Sequence, residues 1–370
     1  MSVLYQQRAE RLRMAMLQDG VDLYLAATQV NMGYFSGFRE APLERMMFLA
    51  IPLKGDPIWF MPSLSAESAQ SNSAGYAVRY VWHDSEGYRK ALGQFAHDLD
   101  LGSAVIAVDD ETPSVFLLGL QEAIPGALFR SGWPTVAKVR SIKDANEIAH
   151  MRAAAALTDA AVADGLELCA PGHTEIAIGV ALERALAQSG SRLAFAGPIV
   201  ASGPNSSKPH YEKGHREVQP GDVVVIDFGG VVEGYCNDIT RCVCVGRAND
   251  DVRRVYETVH RAYEAGLETA GPGVPAQEVD RAARKVIADA GYGEYFVHRT
   301  GHGIGLSVHE PPYIVETNAE PLQAGNCFTI EPGIYLPGQF GIRIENVCLV
   351  TESGCESLNA EPSADIREIG

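Results

Sequence analysis

Two aspartates in the stretch from Gly221 to Arg241 have the type and spacing of metal ligands. Asp227 follows the apolar, β-branched run Val223–Ile226, and Asp238 lies eleven positions further along the chain. Glycines between them indicate a turn, so the stretch predicts a β-hairpin that brings both side chains together. Bare carboxylates on an apolar sheet repel each other and are costly to desolvate, which favours a cation between them. Taken alone, the pair does not decide the matter. It is equally typical of one aspartate in a turn and one exposed to solvent, with no metal between them.

A second stretch repeats this arrangement 104 positions later. GDVVVIDFGG from Gly221 resembles GNCFTIEPGI from Gly325, and this alignment places Glu331 at the position of Asp227. Glu331 ends an apolar arm, and the predicted return arm, GIRIENVCLV, carries Glu345 with Arg343 close by. A duplicated αβ unit packs two sheets around one centre with helices outside. The repeat therefore predicts four carboxylates, two from each hairpin, at one site.

Three histidines accompany these acids. His302 and His309 lie in TGHGIGLSVHEPP, whose glycines allow the backbone to approach closely and His302 to face inwards. His210 lies in ASGPNSSKPHY, 99 positions before His309, close to the repeat interval. Each histidine alone is typical of a core or surface residue. Beside four inward acids, the three indicate one imidazole ligand and two further groups outside the ligand set.

The elements that must position these residues form two predicted domains, because 370 residues exceed what one core commonly supports. Residues 1–137 predict a mixed α/β domain with strands at Val21–Ala26, Met47–Leu53, Ile58–Met61, Val78–Trp82 and Ala104–Val108. Residues 143–370 predict the domain that carries the repeat. Its first helix follows Asp144, with Glu147 completing a capping-box pattern. The basic run Lys138–Lys143 is interpreted as the link.

One charged loop of the first domain is unusual. GFREAPLER, Gly37–Arg45, follows an aromatic stretch that is predicted to be a strand. A solvated loop is the simpler interpretation. The alternative is a loop that reaches an active site, including that of a neighbouring subunit. There Arg39 and Arg45 would meet a carboxylate of the substrate, and Glu40 and Glu44 would meet an amine.

Composition restricts the class of partner and the compartment. The formal net charge of −17 argues against nucleic acid and anionic membranes as partners. No apolar run approaches the roughly 20 residues of a membrane-spanning helix, and the N-terminal stretch has no signal-peptide core. The seven cysteines form no CxxC pair and are expected to be reduced and mostly buried. These features favour a soluble, cytoplasmic protein.

The motifs DFGG, NDITR, TGHGIG, VHEPP, IEPGIY and RIEN, in this order, resemble those of the pita-bread metallopeptidases. That family includes methionine aminopeptidase, aminopeptidase P and prolidase, and the resemblance spans about residues 143–360. It implies an α+β protein with a creatinase-like α/β domain at 1–137 and a pita-bread catalytic domain, duplicated about a pseudo-twofold axis, at 143–370. The SGPNSSKPH segment and the N-terminal domain are similar to those of the proline-specific branch.

The resemblance also implies a metal ligand set. Asp227 would chelate one divalent ion, Asp238 and Glu345 would bridge two ions, and His302 and Glu331 would hold the second. The family uses manganese or cobalt, and sometimes zinc. An oxygen-rich set with a single imidazole favours Mn²⁺ over Co²⁺ or Zn²⁺.

Catalytic roles follow from the same resemblance as hypotheses. Glu331 would be the general base, and His309 would stabilise the developing oxyanion. His210 would contact the proline or the carboxylate of the substrate. For Arg343 two interpretations are open. It would orient a metal-bound aspartate or meet the substrate's C-terminus, or it would form a buried ion pair with Asp238.

The implied reaction is hydrolysis of the Xaa-Pro bond in a small peptide with proline at the second position, by a homodimer. A dipeptidase of the prolidase type is favoured, because the chain is compact and the Gly37–Arg45 loop carries charges suited to limiting substrate length. The alternative is an aminopeptidase P that acts on longer peptides. Two other classes are a metal-free binding module on the same fold, against which the five filled ligand positions argue, and an enzyme that cleaves a different C–N or C–S bond.

Overall fold

The computed structural model describes residues 3–72, 74–212 and 214–370. The chain divides into two compact units, one ending at Arg140 and the other beginning at Ser141. This division falls between the predicted limits at residues 137 and 143.

The first unit is an α/β domain built on a six-stranded sheet with the order β4-β3-β2-β1-β5-β6. Its elements are α1 Val3–Asp19, β1 Leu23–Ala26, α2 Gln29–Ser36, β2 Phe48–Pro52, β3 Ile58–Pro62, α3 Ser63–Asn72, β4 Ala77–Trp82, α4 Arg89–Asp98, β5 Val105–Val108, α5 Ser114–Ala123, β6 Leu128–Ser131 and α6 Trp133–Arg140. The five strands predicted by residue range are confirmed, whereas the aromatic stretch before Gly37, predicted to be a strand, is wrong: it forms the helix α2, which Thr28 caps. Strand β6 was not predicted, because it is a short edge strand whose side chains are mostly exposed and give no apolar run.

The second unit contains two successive sets of a helix pair followed by strands. The first set comprises α7 Ala145–Leu166, α8 Glu175–Gln188, β7 Ile199–Ser202, β8 Val223–Phe228, β9 Val231–Val232, β10 Tyr235–Cys236 and β11 Ile239–Val245. The second comprises α9 Asp250–Thr269, α10 Ala276–Asp289, β12 Gly301–Gly303, β13 Glu310–Ile314, β14 Cys327–Ile330, β15 Gly333–Leu336, β16 Phe340–Arg343 and β17 Asn346–Val350, followed by β18 Cys355–Ser357 and β19 Arg367–Ile369. The predicted α+β organisation with an internal duplication is confirmed.

The strands of the second unit form two main sheets, ordered β19-β11-β8-β7 and β13-β12-β14-β17-β18. A backbone bridge between Thr240 and Glu345 connects them. Alternate residues of β8 pack against different helix pairs. Val223 and Val225 share a core cluster with side chains of α9 and α10, whereas Val224 and Ile226 pack with α7 and α8. Burial on both faces explains why β8 reads as a continuous apolar run.

The structure corrects two details of the predicted layout. The basic run contains the boundary between the units, as predicted, but it is not an exposed linker, because Lys138 and Arg140 lie in the last turn of α6 and Lys143 is buried. The predicted return arm is not one strand. It divides into β16, which pairs with β15, and β17, which pairs with β14, and Glu345 lies between the two.

Other local predictions are confirmed. Asp144 and Glu147 form the expected reciprocal capping box at the start of α7. All seven cysteines are free, and six of them are buried. Among the described helices, none combines the length and the apolar character needed to cross a membrane.

Candidate metal centre

The two halves of the second unit bring the predicted acids and histidines to one cavity of about 340 Å³. Its walls comprise Pro209, His210, Asp227, Asp238, His298, Arg299, His302, His309, Glu331, Arg343 and Glu345. Every residue of the second unit that the sequence predicted for the site is therefore at the cavity. Three further residues, Pro209, His298 and Arg299, were not predicted.

Strand pairing in the first half aims Asp227 and Asp238 to the same side of the sheet. Asp227 lies opposite Thr240 in the antiparallel pair β8–β11, and Asp238 precedes Thr240 by two positions. Asp238 lies one position ahead of β11, and residues two apart along an extended chain share a face. Asp227 also shares the face of Val223 and Val225, which turns towards the second half of the unit. The two aspartates are thus diagonal neighbours rather than directly paired.

Glycines allow the backbone to approach closely beside Asp238 and His302, as predicted for His302. A Cβ atom on Gly229 would lie 1.6 Å from the Asn237 carbonyl oxygen, beside Asp238. A Cβ atom on Gly301 would lie 1.8 Å from the Thr329 carbonyl oxygen, beside His302. Neither position accommodates a larger residue without a backbone shift.

The His302 ring is held as a neutral imidazole with Nε2 towards the acids. Its Nδ1 lies 3.1 Å from the Gly303 carbonyl oxygen, which only accepts, so Nδ1 carries the proton. Nε2 lies 3.4 Å from Glu331 Oε1 and 3.8 Å from Asp238 Oδ2. Burial, followed by the neighbouring His309, lowers the pKa of His302 to about 3. A neutral imidazole with its Nε2 lone pair directed at carboxylates is suited to metal binding.

The carboxylates are crowded in a way that favours bound cations. Burial, followed by repulsion from Glu345 and Asp227, raises the pKa of Asp238 well above its usual value. Burial likewise raises the pKa of Glu345, and that of Glu331 to about 7. Ligand atoms of Asp238, His302 and Glu345 lie within 4.8 Å of one another.

Two carboxylate oxygens at the centre lack protein partners. Asp227 Oδ1 and Asp238 Oδ1 are buried and accept no hydrogen bond from the described part of the chain. Buried oxygens of this kind are normally paired with a donor or a cation. Together with the neutral imidazole, they make the residues present a good fit for divalent ions.

Arg343 holds Asp227 rather than Asp238. Its Nη2 donates to Asp227 Oδ2 at 2.6 Å, and its Nη1 donates to the Tyr335 hydroxyl at 2.8 Å. Its Nε donates to Thr240 Oγ1 at 2.9 Å. The predicted alternative of an ion pair with Asp238 is therefore wrong. Arg343 fixes one oxygen of Asp227, which leaves Oδ1 directed towards the site.

His298 and Arg299 are the main site residues that sequence reasoning missed. His298 Nδ1 donates to the Arg299 carbonyl oxygen at 2.8 Å, and Nε2 accepts from the Tyr335 hydroxyl at 2.9 Å. Burial, followed by the positive charge of Arg343, lowers the pKa of His298 to about 4. The Arg299 guanidinium lies over the Tyr313 ring at 4.5 Å. The available signal was their position directly before TGHGIG.

The four charged residues of the Gly37–Arg45 loop lie in the first unit. Arg45 pairs with Asp84 at 2.9 Å and with Glu44 at 2.5 Å. Glu40 accepts a hydrogen bond from the Ser65 hydroxyl. The Arg39 side chain packs beside Gly33. Their contact with a substrate stays a prediction.

Comparisons with known proteins agree with this site. The family description "Metallopeptidase family M24" matches residues 149–352, and "Creatinase/Prolidase N-terminal domain" matches residues 8–142. "Probable dipeptidase PepE" of Mycobacterium tuberculosis is 40% identical over 333 residues, 89% of this chain and 87% of that protein.

Two further relatives match this chain over nearly its whole length. The "Xaa-Pro dipeptidase" of Lactobacillus delbrueckii subsp. lactis is 35% identical over 349 residues, 93% of this chain and 94% of that protein. The crystal structure of a prolidase from Thermococcus sibiricus is similar with a TM-score of 0.93 at 34% identity, covering 100% of both chains. The chain belongs to metallopeptidase family M24, whose members use divalent metal ions, and it carries the creatinase/prolidase N-terminal domain.

Proposed function

We propose that this protein hydrolyses Xaa-Pro dipeptides with two divalent ions bound in the cavity of its second unit. The observation that carries the proposal is the convergence of four carboxylates on one neutral imidazole, with two buried carboxylate oxygens lacking protein partners. The names of the Lactobacillus and Thermococcus relatives support the Xaa-Pro substrate.

Five residues would hold the ions. Asp227 would bind the first ion, His302 and Glu331 the second, and Asp238 and Glu345 both. The short distances among Asp238, His302 and Glu345 support a shared set. One nitrogen among carboxylate oxygens favours Mn²⁺ as the native metal.

Divalent ions held by these residues would supply polarisation of the substrate carbonyl and a lower pKa for the attacking water, as two-metal sites do. Glu331 would take the proton of that water, because its carboxylate lies beside His302 Nε2 at the cavity and Thr329 Oγ1 donates to its Oε1 at 3.1 Å. His309 packs edge-on against His302, with ring centroids 4.1 Å apart, and is exposed to the cavity. From there it donates a hydrogen bond to the developing oxyanion. His210 contacts the substrate from the opposite loop.

Arg299 favours a dipeptide over a longer peptide. It is a cation at the cavity wall that forms no ion pair within the described part of the chain. Arg343 is less available, because Asp227, Thr240 and Tyr335 already occupy its donors. Only in a dipeptide does a free carboxylate follow the scissile bond directly at proline, and a charge-assisted pair with Arg299 would select it.

A metal-by-substrate activity matrix tests the proposal. Protein stripped of metal would be reloaded with Mn²⁺, Co²⁺ or Zn²⁺ and assayed with Ala-Pro, Ala-Pro-Ala and Ala-Ala. We expect chelation to abolish activity, Mn²⁺ to restore it best, and Ala-Pro to be the preferred substrate. Faster cleavage of Ala-Pro-Ala would indicate an aminopeptidase, and no cleavage with any ion would indicate a binding module.

Elemental analysis of a bridging-ligand variant tests the metal set separately. Asp238→Asn removes a negative charge that both ions would share, so we expect a lower metal content per chain than in the wild type. Glu147→Gln is the matched control, because Glu147 is equally buried but bonds to Asp144 and Tyr235 away from the cavity. An unchanged metal content in Asp238→Asn would remove Asp238 from the bridge.

The state of assembly and the compartment complete the proposal. The family resemblance supports a homodimer, in which the charged Gly37–Arg45 loop would act on a neighbouring subunit's site, and the cytoplasm is proposed as its compartment. Sedimentation velocity of the metal-loaded protein would test the dimer. Variants at Arg39 and Arg45 would test the loop by their effect on KM for Ala-Pro.

A further inference from the structure

Glu175 is a buried carboxylate of the second unit that the mechanism does not use. It is the first residue of α8, and its relative exposure is 0%. Oε1 accepts hydrogen bonds from Ser202 N at 2.8 Å, Ser202 Oγ at 2.8 Å and Asn205 Nδ2 at 3.0 Å. Oε2 accepts from Gly214 N at 3.1 Å.

These donors lie at both ends of the segment that carries His210. At one end, Ser202 is the last residue of β7 and Asn205 lies in the short helical turn Gly203–Ser207. At the other end, Gly214 lies four positions after His210. One carboxylate therefore connects the two ends. Asn205 Nδ2 also donates to the Tyr211 hydroxyl at 2.9 Å, next to His210.

The segment reaches the cavity at its tip. Pro209 and His210 line the wall, and the Pro209 carbonyl oxygen accepts from Arg343 Nη1 at 3.3 Å. The His210 ring is exposed and makes no hydrogen bond within the described part of the chain. Its position is therefore set by the backbone that carries it, and that backbone depends on its anchors.

We propose that Glu175 is a positioning residue that holds His210 at the substrate, so that the carboxylate acts on the reaction through this loop. The inference rests on the proposed function for its kinetic consequence. A carboxylate suits this task because it accepts all four hydrogen bonds, and bonds to an ionised acceptor are stronger than neutral ones. In Glu175→Gln, the NH₂ group of the amide would face a backbone N–H and turn an attraction into a repulsion.

Hydrogen–deuterium exchange tests the anchor without reference to activity. We expect Glu175→Gln to increase amide exchange in residues 203–212 and at Gly214, with little change in α9 and α10. Glu147→Gln, the same chemical change at another buried glutamate near a helix N-terminus, should leave that segment protected. Unchanged protection of the His210 segment in Glu175→Gln would overturn the inference even if the protein proved to have a different activity.

A double-mutant cycle tests whether Glu175 acts through His210. For Ala-Pro, we expect Glu175→Gln to lower kcat/KM roughly 10–100-fold, with metal content retained because Arg343 keeps its contacts to Asp227 and Tyr335. In a His210→Ala background, the same change should lower kcat/KM little further. Glu147→Gln should give an effect that multiplies with that of His210→Ala.

The outcomes separate this inference from the proposed function. Failure of the wild type to cleave Ala-Pro would refute the proposed function. The hydrogen–deuterium exchange result would then decide alone whether Glu175 anchors the His210 segment. Cleavage that survives in Glu175→Gln, or losses that multiply in the double variant, would overturn the positioning role alone. If Glu175→Gln does not fold, Asn205→Ala can replace it, because it removes one of the donors to Glu175 at a partly exposed position. In the double-mutant cycle with His210→Ala, it should likewise lower kcat/KM little further.

Discussion

The Thr240 hydroxyl donates a 2.6 Å hydrogen bond to Glu345 Oε2, across the boundary between the two halves of the second unit. Arg343 Nε donates to the same hydroxyl oxygen at 2.9 Å, which directs the Thr240 proton to Glu345. Thr240 also lies opposite Asp227 in the β8–β11 pair. One threonine thus connects carboxylates that come from both hairpins.

We expect Thr240→Val to lower metal affinity about 10–100-fold, a typical effect of removing a group that orients a ligand. The valine has a similar shape but cannot donate to Glu345. Thr240→Ser keeps the hydroxyl and should bind metal nearly as the wild type does. Titration of the stripped protein with Mn²⁺ by calorimetry measures both variants. Equal affinities for Thr240→Val and the wild type would show that Glu345 does not need this bond.

Glu331→Gln should reduce turnover by orders of magnitude while the fold persists. The amide oxygen is too weakly basic to take a proton from water at neutral pH, whereas a carboxylate oxygen can. The measurement is kcat for Ala-Pro at saturating Mn²⁺, with metal content and circular dichroism as controls. The base assignment fails if kcat stays within a few-fold of the wild type while the metal remains bound.

The strands that carry the proposed metal ligands could be predicted from the sequence, because burial constrains the pattern of apolar residues along them. A run such as Val223–Ile226 is apolar at every position only if both faces are covered, and the structure shows this for β8. The repeat then located Glu331 by its equivalence to Asp227. The break between β16 and β17 was not predictable, since it depends on Glu345 pairing with Thr240 in the other sheet.

The polar partners inside the site were harder to predict. Arg343 pairs with Asp227 and not with Asp238, because Tyr335 and Thr240 hold its guanidinium group beside Asp227. The spacing of these residues in the sequence does not encode such contacts. Arg299 was overlooked because an arginine beside a glycine-rich motif is usually a solvated residue. Lys143 had the charge of a linker residue, yet it is buried beside Glu310.

Arg299→Gln should raise KM for Ala-Pro by about tenfold or more, because a charged pair with the substrate carboxylate is lost. The amidated substrate Ala-Pro-NH₂ lacks that carboxylate and is the matched control. We expect the wild type and the variant to treat this amide alike. Equal losses on both substrates would indicate that Arg299 does not contact the carboxylate.

His298 should make the protein less stable as the pH falls from about 6.5 to about 4. The pKa of His298 is lowered to about 4 in the folded chain, chiefly by burial, while an unfolded histidine titrates near 6.5. Between these values the unfolded state binds a proton that the folded state does not, so the free energy of unfolding decreases as the pH falls.

Comparison with His298→Gln isolates this effect, because the other titrating groups are common to both proteins. Glutamine retains one acceptor for the Tyr335 hydroxyl and one donor for the Arg299 carbonyl oxygen. The variant should therefore show a shallower fall in Tm over the same pH window. Parallel Tm curves for the two proteins would mean that His298 titrates normally in the folded state.

Lys143 and Glu310 form a buried ion pair whose loss should be costly. Lys143 Nζ lies 2.8 Å from Glu310 Oε1, and the two side chains are 1% and 2% exposed. Lys143→Met leaves the Glu310 carboxylate in the interior without its cation, which typically costs about 3–5 kcal/mol. Replacing both residues, as in Lys143→Met with Glu310→Leu, should recover most of this loss, because apolar side chains often substitute for a buried pair.

Urea denaturation followed by fluorescence measures these changes as shifts in the transition midpoint. Lys285→Met is the matched control, because Lys285 pairs with Asp289 at 2.6 Å but both side chains are largely exposed. Exposed pairs contribute little to stability, so the control midpoint should barely move. If the midpoint of Lys143→Met differs from that of the wild type as little as the midpoint of Lys285→Met does, Glu310 tolerates the loss of its cation, by protonation or by other contacts.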